Sequence, residues 1–348
     1  MQCADELDCA EVITGKYVTG KKCKYILMEE LGRGGYGCVF KVKPEPADGN
    51  EYAMKIEKKR ENRSQAKLAM EQHIMKLIRD KLKPEQRNHF IDVIDRAKKT
   101  HFYFLVMTLV GESLADLKKS RKPHIFSAGT TYAIGLQTLA ALQQLHSVGY
   151  IHRDVKPGNY AIGLGKDAKT IYILDFGIAR FILNSINELK GPRNKVAFKG
   201  TIRYAPLACH RNEELGKKDD CESWLYMLAD ISNPDDLPWR GEKDREKVGA
   251  IKEKCRTTEG AERTFRGLHV ESMKEILKYI DKLGYFDELD YEFIYQHIKK
   301  AAKAGRIDLN APFDWELDET TRTTTTNASS DAPTKSRAQT SKMVSVHR

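Results

Sequence analysis

The sequence predicts an α+β fold in two lobes, a small β-rich N-terminal lobe and a larger helical C-terminal lobe. Early segments are short, rich in Tyr, Val, Phe and Ile, and separated by glycines or by the turn segment PEPADGN, as is typical of strands. Later segments are longer and place apolar residues at helical spacing. The change from strand-like to helical segments falls near residues 108–111, so we expect an N-lobe over about 24–108 and a C-lobe over about 109–316.

Individual elements follow from the same patterns. Strands are predicted over residues 25–31, 38–42, 51–56 and 102–107. Between the last two, residues 64–81 carry apolar side chains at a helical spacing among charges. The clearest helix is predicted over residues 130–147, where Leu139 and Leu142 belong to one apolar stripe and Gly149 is placed to end the helix.

The ends of the chain differ in composition from its centre. Residues 321–348 contain twelve Ser or Thr and almost no large apolar side chains, so we expect a disordered, basic, Ser/Thr-rich tail over 317–348. Residues 1–23 are expected to form a flexible N-terminal segment, in which Tyr17 and Val18 are candidates for packing. The folded domain is then expected over residues 24–316.

The charge balance is basic and favours acidic partners. Of the 348 residues, 59 are Lys or Arg and 49 are Asp or Glu, which gives a net charge of +10. The last 28 residues contribute +4 of this, five bases minus one acid. Part of the charge is therefore that of a solvated end, and we do not expect nucleic acid as a partner.

The seven cysteines are scattered and include no C-x-x-C pair, which argues against a zinc site and a disulfide framework. Such thiols fit a reducing compartment, so the expected location is the cytoplasm or the nucleus. The N-terminus lacks the apolar core of a signal peptide, and the longest apolar run, residues 102–109, is too short to cross a bilayer. We expect a monomer without membrane association.

A glycine-rich segment between the first two predicted strands fits the pattern G-x-G-x-x-G-x-V. Glycines let the backbone close over a polyphosphate and leave amide N–H groups free to meet its oxygens. A dinucleotide site would need a helix directly after the third glycine, whereas a strand is predicted there. A glycine-rich hairpin without a ligand is the alternative. The candidate phosphate-binding residues are Leu31, Gly32, Arg33, Gly34, Gly35, Tyr36, Gly37, Cys38 and Val39.

Two charged residues follow the glycine-rich segment in an order that suits nucleotide binding. Lys55 closes the strand segment Tyr-Ala-Met-Lys, where a lysine is able to hold the α- and β-phosphates. Glu71 lies sixteen residues later in the predicted helix over 64–81, from which its carboxylate is expected to pair with Lys55. Each residue taken alone is equally compatible with an ordinary solvated charge.

The strongest motif is Tyr-Ile-His-Arg-Asp-Val-Lys-Pro-Gly-Asn over residues 150–159, with Asp-Phe-Gly at 175–177. Phosphoryl transfer needs a carboxylate that accepts the proton of the attacking hydroxyl, and Asp154 is placed for that role. Lys156 is suited to neutralise the transferred group, while Asn159 and Asp175 offer oxygen ligands for Mg²⁺. His152 is a possible general base, although a packing role fits its setting better.

Together these motifs resemble those of eukaryotic protein kinases over residues 24–316. The resemblance implies the two-lobed protein-kinase fold, ATP and Mg²⁺ as cofactors, and phosphorylation of Ser or Thr in protein substrates. The segment Gly-Thr-Ile-Arg-Tyr-Ala over residues 200–205 and the later Leu-Pro-Trp resemble the casein kinase 1 family. The stretch LPWRGEKDREKVGAIKEK and the closing Phe-Asp-Trp-Glu are similar to the tau-tubulin kinase branch.

The resemblance also implies roles outside the motifs. Met107 falls where the family places the residue at the back of the adenine pocket, and Leu109 falls in the hinge that bonds adenine. Arg193 and Arg240 fall where casein kinase 1 relatives form an anion pocket, so substrates with acidic or phosphorylated segments are expected. The alternative is that these two arginines are ordinary solvated surface residues.

Cys38, in the glycine-rich segment, is either a reactive thiol or, more simply, a small side chain on a strand.

The chain departs from the family pattern at residues 206–208, Pro-Leu-Ala, where casein kinase 1 relatives have Ser-Ile-Asn or Ser-Val-Asn. The packing beneath the preceding segment is expected to differ for that reason. The competing hypothesis from another functional class is a kinase-like scaffold that acts by binding through its basic surface and tail. Its usual sign is the loss of a catalytic residue, and the sequence shows no such loss.

Overall fold

A computed structural model describes residues 3–4, 11–34, 37–59 and 67–317. The chain divides into two compact units, residues 1–311 and 312–348. The second unit is described only over 312–317, where residues 314–317 form a helical turn and the rings of Phe313 and Trp315 stack with their centroids 4.4 Å apart. The predicted tail over 317–348 therefore lies outside the described residues except for Leu317, and its disorder stays a prediction.

The N-lobe is built on a six-stranded sheet whose neighbouring strands are antiparallel, in the order β1-β2-β3-β4-β6-β5. Every β-rich segment that the sequence predicts is a strand of this sheet. The strands are β1 Tyr17–Thr19, β2 Lys24–Gly34, β3 Gly37–Glu45, β4 Tyr52–Lys58, β5 Val93–Lys98 and β6 Phe102–Thr108.

The segment expected to be a flexible N-terminal end is partly ordered, which corrects the sequence-based expectation for residues 11–23. Tyr17 pairs with Ile26 in the β1–β2 ladder, and Val12 and Val18 are fully buried in the core of the sheet. Burial of these two side chains offsets the entropy of ordering a short edge strand, a gain that local composition does not reveal.

The C-lobe is mainly helical, and helix α1 belongs to the N-lobe. The predicted helix over 130–147 is confirmed as α3, and Gly149 follows it with a positive φ of 86°. The helices are α1 Lys67–Lys81, α2 Leu114–Ser120, α3 Ala128–Ser147, α4 Leu207–His210, α5 Lys217–Ser232, α6 Arg245–Lys254, α7 Thr258–Thr264, α8 Val270–Lys282 and α9 Tyr291–Ala304.

Helix α5 is the centre of the C-lobe. Fourteen of its sixteen residues are buried, so this helix packs against protein on every side. Against α3, the indole N–H of Trp224 donates to the Thr138 hydroxyl at 2.9 Å, and Gly135 leaves room for Trp224 and Leu228. A helix enclosed in this way is a rigid base for whatever its polar residues hold.

Two short pairs of antiparallel strands flank the motif residues. Strand β7 (Tyr150–Ile151) pairs with β10 (Arg180–Phe181), and β8 (Tyr160–Ile162) pairs with β9 (Ile171–Ile173). The motif over 150–159 thus runs between β7 and β8, and the Asp-Phe-Gly motif follows β9. No helix among the described residues is long and apolar enough to span a membrane.

We predict that Val18→Ala lowers the free energy of unfolding by about 1–3 kcal/mol, because it removes two buried methyl groups from the core of the sheet. The measurement is urea unfolding followed by circular dichroism. Ile13→Ala is the matched control, since that side chain is half exposed and its loss is expected to cost less than about 0.5 kcal/mol. Equal effects of the two variants would show that the N-terminal segment is not docked.

Candidate active site

The site begins with an ion pair between the sheet and helix α1. Lys55 on β4 donates from Nζ to Oε1 of Glu71 at 2.6 Å, and Nζ lies 3.5 Å from Oδ1 of Asp175. Strand β4 lies between β3 and β6, so the position of Lys55 is set by ladder bonds on both sides. The structure therefore brings together the three charged residues that the sequence places far apart.

Helix α1 is tied to the same strand by a second carboxylate. Glu57, two residues after Lys55, is buried and accepts from the backbone N–H groups of Lys67 at 3.1 Å and Leu68 at 2.8 Å. These donors lie in the first turn of α1, where backbone N–H groups lack partners within the helix and an anion is favoured. Strand β4 thus fixes α1 at its beginning, and Glu71 follows one turn later.

Lys55 stabilises the charge of both carboxylates, although burial and the neighbouring Asp175 raise the pKa of Glu71. Burial disfavours the charged form of Lys55, but the carboxylates of Glu71 and Asp175 outweigh burial, and the pKa of Lys55 is raised. Burial acts against the charge of Asp175 as well, yet Lys55 and the backbone N–H of Gly177 hold its pKa at about 2. At neutral pH, Lys55 is therefore a cation and Asp175 an anion.

The glycine-rich segment forms the ends of β2 and β3, and its residues 35 and 36 lie outside the described part of the chain. Gly37 approaches the next strand so closely that a Cβ there would lie 1.8 Å from the carbonyl oxygen of Ile56. Only glycine fits this position. A cavity of about 250 Å³ lies by this segment, and its lining includes Gly32, Gly37, Lys55 and Asp175.

Three predicted nucleotide contacts have other interactions in this structure. Arg33 donates to Glu30 at 2.6 Å and to the carbonyl oxygen of Val12 at 3.0 Å. Cys38 is 3% exposed and belongs to the core of the sheet, which favours the packing interpretation over a reactive thiol. Met107 is buried opposite Ala53 in the ladder. The nucleotide contacts of all three, and of the half-buried Leu109, stay predictions.

The motif after β7 forms a compact hydrogen-bonded group around Asp154. Lys156 donates from Nζ to Oδ2 of Asp154 at 2.6 Å, and the Thr201 hydroxyl donates to Oδ1 at 2.8 Å. Lys156 also donates to the Thr201 oxygen at 3.2 Å. Gly200 precedes this threonine with a φ of 100°, and a Cβ there would lie 2.6 Å from the Arg153 carbonyl oxygen. A carboxylate, an ammonium and a hydroxyl thus meet at one point.

Asn159 and His152 complete the group. The Asn159 side chain donates from Nδ2 to the Asp154 carbonyl oxygen at 2.8 Å, so its own amide oxygen is left for another partner. His152 is fully buried; its Nδ1 accepts the N–H of Asp154, and its Nε2 faces the carbonyl oxygen of Leu174 at 3.1 Å. The ring proton is therefore on Nε2, and His152 has the packing role that its sequence setting favours.

Asp220, at the start of helix α5, fixes the backbone of the motif over residues 150–159. Its carboxylate accepts the backbone N–H groups of His152 at 2.6 Å and Arg153 at 2.8 Å, and it is bonded to His146 Nε2 at 2.8 Å. Arg153 has a φ of 68°, a left-handed conformation that side chains rarely adopt and that the surrounding bonds must stabilise. Asp220 had no predicted role, and the segment Lys-Lys-Asp-Asp-Cys-Glu over residues 217–222 is the sequence signal that could have indicated one.

Burial acts against the charge of Asp220, but its hydrogen bonds and the neighbouring histidines outweigh burial, and its pKa is lowered from the ordinary value of 3.8. The carboxylate is therefore charged at neutral pH. Three groups, the backbone N–H groups of His152 and Arg153 and the ring of His146 on α3, depend on that charge for their position, which makes Asp220 a structural anchor of the segment that carries Asp154.

Arg193 and Arg240, the predicted anion pocket, hold different carboxylates. Arg193 donates to both oxygens of Glu214, from Nε at 2.6 Å and from Nη2 at 3.0 Å. Arg240 is paired with Asp236, four residues earlier in the sequence. The structure thus gives the two guanidinium groups separate partners, and their binding of a substrate anion stays a prediction.

Lys252 on α6 is a further residue that sequence reasoning missed. It is fully buried, and its ammonium donates to the carbonyl oxygens of Ile202 at 2.9 Å and Ala205 at 2.6 Å. The rings of Tyr226 and Trp239 cover it. Burial lowers its pKa to about 7. This lysine fixes the backbone directly after Gly200-Thr201, and one Lys among many on a charged helix gave no signal of that role.

Comparisons with known proteins agree with this geometry. A family model described as a protein kinase domain matches residues 25–296. A putative serine/threonine-protein kinase of Caenorhabditis elegans is 34% identical over 269 residues, which cover 77% of this chain and 79% of the relative. A probable serine/threonine-protein kinase of Dictyostelium discoideum is 30% identical over 298 residues, 85% of this chain and 57% of that protein. A putative casein kinase I of Caenorhabditis elegans is 29% identical over 288 residues, 82% of this chain and 81% of the relative.

We predict that Asp220→Asn lowers the free energy of unfolding by about 1–3 kcal/mol, because the amide oxygen accepts one N–H while the amide nitrogen faces the other and leaves a buried donor unpaired. Urea unfolding at pH 7 measures this loss. Asp235→Asn makes the same chemical change in an exposed ion pair with Arg266 and is expected to cost less than about 0.5 kcal/mol.

The contribution of Asp220 to the free energy of unfolding is expected to depend on pH. Because its folded pKa is lowered, the stability that it provides is complete above the ordinary value of 3.8 and is lost as the pH falls through the folded value. The difference between wild type and Asp220→Asn is therefore expected to shrink below about pH 4. A difference that grows on acidification would contradict the assigned role.

Proposed function

The chain belongs to the protein kinase family and is a protein serine/threonine kinase, and from this premise we propose that it transfers the γ-phosphate of ATP, in the presence of Mg²⁺, to Ser or Thr hydroxyls of proteins. The observation that carries the proposal is the assembly of two charged groups. One is Asp154 with Lys156 and Thr201, and the other is Lys55 with Glu71 and Asp175.

The roles of the residues follow from their charges. Asp154 orients the attacking hydroxyl and accepts its proton, since a carboxylate beside a cation suits that task. Lys156 neutralises the negative charge on the transferred phosphoryl group, and Lys55 holds the phosphates that stay with the nucleotide. Catalysis then consists mainly of positioning and charge neutralisation, for which these rigid contacts are suited.

Asn159 and Asp175 would hold the magnesium. Asp175 is half exposed and is charged at neutral pH, and Asn159 keeps an amide oxygen that its bond to Asp154 does not use. Two oxygen donors of this kind match the preference of Mg²⁺ for hard ligands. When bound, Mg²⁺ supplies positive charge to the phosphate oxygens.

A finer affiliation is also proposed, to the casein kinase 1 family and within it to kinases that resemble the tau-tubulin branch. The Gly-Thr-Ile-Arg-Tyr-Ala segment and the similarity to a putative casein kinase I support it. None of the six cysteines among the described residues forms a disulfide, which supports a reducing compartment such as the cytoplasm or the nucleus as the place of action.

We predict that the purified chain phosphorylates casein on Ser or Thr with Mg-ATP, and that Asp154→Asn reduces turnover by about 100-fold or more because the proton acceptor is lost. The measurement is phosphate transfer from labelled ATP followed by phosphoamino-acid analysis. Asp235→Asn serves as the control that retains activity. Turnover near that of wild type in Asp154→Asn, at an unchanged melting temperature, would refute the proposed chemistry.

A preference for substrates with acidic or phosphorylated segments is the further part of this proposal. Arg153, Arg180 and Arg193 lie close to one another, and the two neighbouring arginines, after burial, lower the pKa of Arg153 to about 10. Glu214 supplies one negative charge to this group. Glu214 bonds two of the five N–H donors of Arg193. Because the Arg193 side chain is also 45% exposed, its other donors are left for a substrate anion.

We predict that wild type favours a Ser peptide with upstream Glu over the same peptide with Gln, and that Arg193→Gln/Arg240→Gln reduces this ratio of kcat/KM several-fold. The control is Arg211→Gln/Arg266→Gln, which removes the same charge from two exposed arginines in ion pairs elsewhere. Equal ratios in both double variants would remove the anion-pocket hypothesis and leave the kinase assignment intact.

A further inference from the structure

A cavity of about 520 Å³ lies beside the second half of α1 and shares no lining residue with the cavity at the glycine-rich segment. Besides α1, its walls are residues 84–96, the turn at Lys21 and Lys22, and Tyr172 from β9. Neither the motifs nor the proposed catalytic chemistry uses it. We call it the basic cavity.

The basic cavity has an apolar base. Met75 and Ile78 from α1 and Phe90 and Ile91 from the following segment line it, and all four side chains are at least nine-tenths buried. A concave site with an apolar base and charged groups at its edge is the usual form of a ligand site, whereas a solvated charged face is convex. The shape therefore distinguishes this cluster from the other lysine-rich surfaces of the chain.

Positive charge dominates the lining. Six of the lining side chains are cations and two are carboxylates, which leaves an excess of four positive charges. The cations come from three separate parts of the N-lobe, so no single helix pattern accounts for them. They are Lys21, Lys22, Lys76, Arg79, Arg87 and Arg96.

The nearby carboxylates do not neutralise this excess. Asp95 is buried and accepts the backbone N–H groups of Lys21, Lys22 and Arg96, so its charge fixes the turn. Asp92 lies 3.8 Å from Arg87, a long surface contact of the kind that contributes little. The pairs that Lys76 and Arg79 form with Asp80, at 3.6 and 3.7 Å, are of the same exposed type.

The cavity is connected to the candidate active site through α1. The beginning of this helix is fixed by Glu57, and Glu71 on it bonds Lys55 at 2.6 Å. Its later residues, including Lys76 and Arg79, line the basic cavity. A ligand that contacts both these residues and the segment 84–96 would fix the C-terminal end of α1. It would thereby favour the position of α1 in which Glu71 pairs with Lys55.

We propose that the basic cavity is a docking site for an Asp/Glu-rich segment of a partner protein, and that this segment activates the enzyme by stabilising α1. Charge complementarity selects an acidic ligand, and the apolar base favours a peptide with aliphatic side chains among its acids. The docking step stands on the geometry of the cavity alone. The activating step rests on the proposed phosphotransfer function.

The binding test uses a fluorescein-labelled peptide of Glu and Leu residues, which lacks hydroxyl side chains, and the full chain without ATP. Fluorescence anisotropy measures its Kd. Lys76→Gln/Arg79→Gln/Arg87→Gln is expected to weaken binding about tenfold or more. The control variant Lys299→Gln/Lys300→Gln/Lys303→Gln removes the same charge from exposed positions on α9 and is expected to change Kd less than about twofold.

Other results would overturn the docking proposal. Equal weakening in the two triple variants would mean that only net charge matters. Loss of binding in Arg193→Gln/Arg240→Gln, with the cavity variant unaffected, would place the peptide in the substrate groove. A single-stranded RNA that binds more tightly than the peptide, and loses its affinity in the cavity variant, would make the ligand a nucleic acid.

The activation test measures phosphorylation of a neutral Ser peptide with and without the Glu/Leu peptide. We expect at least about twofold activation of wild type, and none in the cavity variant, whose basal rate stays unchanged. Binding at the cavity without activation would overturn the coupling to Glu71. A chain without any Mg-ATP-dependent transfer would refute the proposed function, while the anisotropy result would still decide whether the cavity binds acidic peptides.

Discussion

The carboxylate of Asp220 is the interaction on which the catalytic half of the site depends. It lies in the interior at the start of α5, where an unpaired charge would be very costly, and donors from three residues compensate for its lost hydration. Two of those donors are consecutive backbone N–H groups directly before Asp154. The bonds therefore fix the direction in which the chain presents the carboxylate of Asp154, and they stabilise the left-handed conformation of Arg153.

Buried charged side chains that bond the backbone also surround the segment that follows residue 200. Lys252 bonds two carbonyl oxygens of that segment, and Thr201 at its start bonds Asp154. On the buried side of α5, Glu222 accepts from Arg256 at 2.9 Å and from the Tyr226 hydroxyl at 2.7 Å. Removing one member of such a group leaves a buried charge or dipole without a partner, so each contact favours one arrangement of the segment after residue 200.

How much of this the sequence predicts depends on the range of the interaction. Strands β2, β3, β4 and β6 and the α3 helix follow from local periodicity, and the structure brings Lys55 and Glu71 together as their order along the chain suggests. For strand β1 the sequence suggests only that Tyr17 and Val18 pack, and not the strand itself, because its stability comes from burying Val12 and Val18 in a core formed mostly by later residues. The capping of α1 by Glu57 is likewise a contact between elements, which charge patterns along one helix do not show.

Arg193 shows that a contact between distant residues can also weaken a site that the sequence predicts. The resemblance to casein kinase 1 predicts an anion pocket at Arg193, but only the fold shows that Glu214, which is 21 residues later, already occupies two donors of this arginine. The expected anion site is therefore a partly neutralised one. An acidic substrate must share Arg193 with this carboxylate, so any preference for acidic residues depends on the exposed donors and on the neighbouring Arg180 as much as on Arg193 itself.

The two halves of the site differ in how firmly they are held. Helix α5, which anchors Asp154 through Asp220, has fourteen of sixteen residues buried, whereas α1, which carries Glu71, has five of fifteen. A helix with one buried face can shift by breaking few contacts, while an enclosed helix cannot move without disrupting the core. Any conformational control of the Lys55–Glu71 pair must therefore act through α1 and the groups along its exposed side. The basic cavity is formed there, at the end of the helix that Glu57 does not reach.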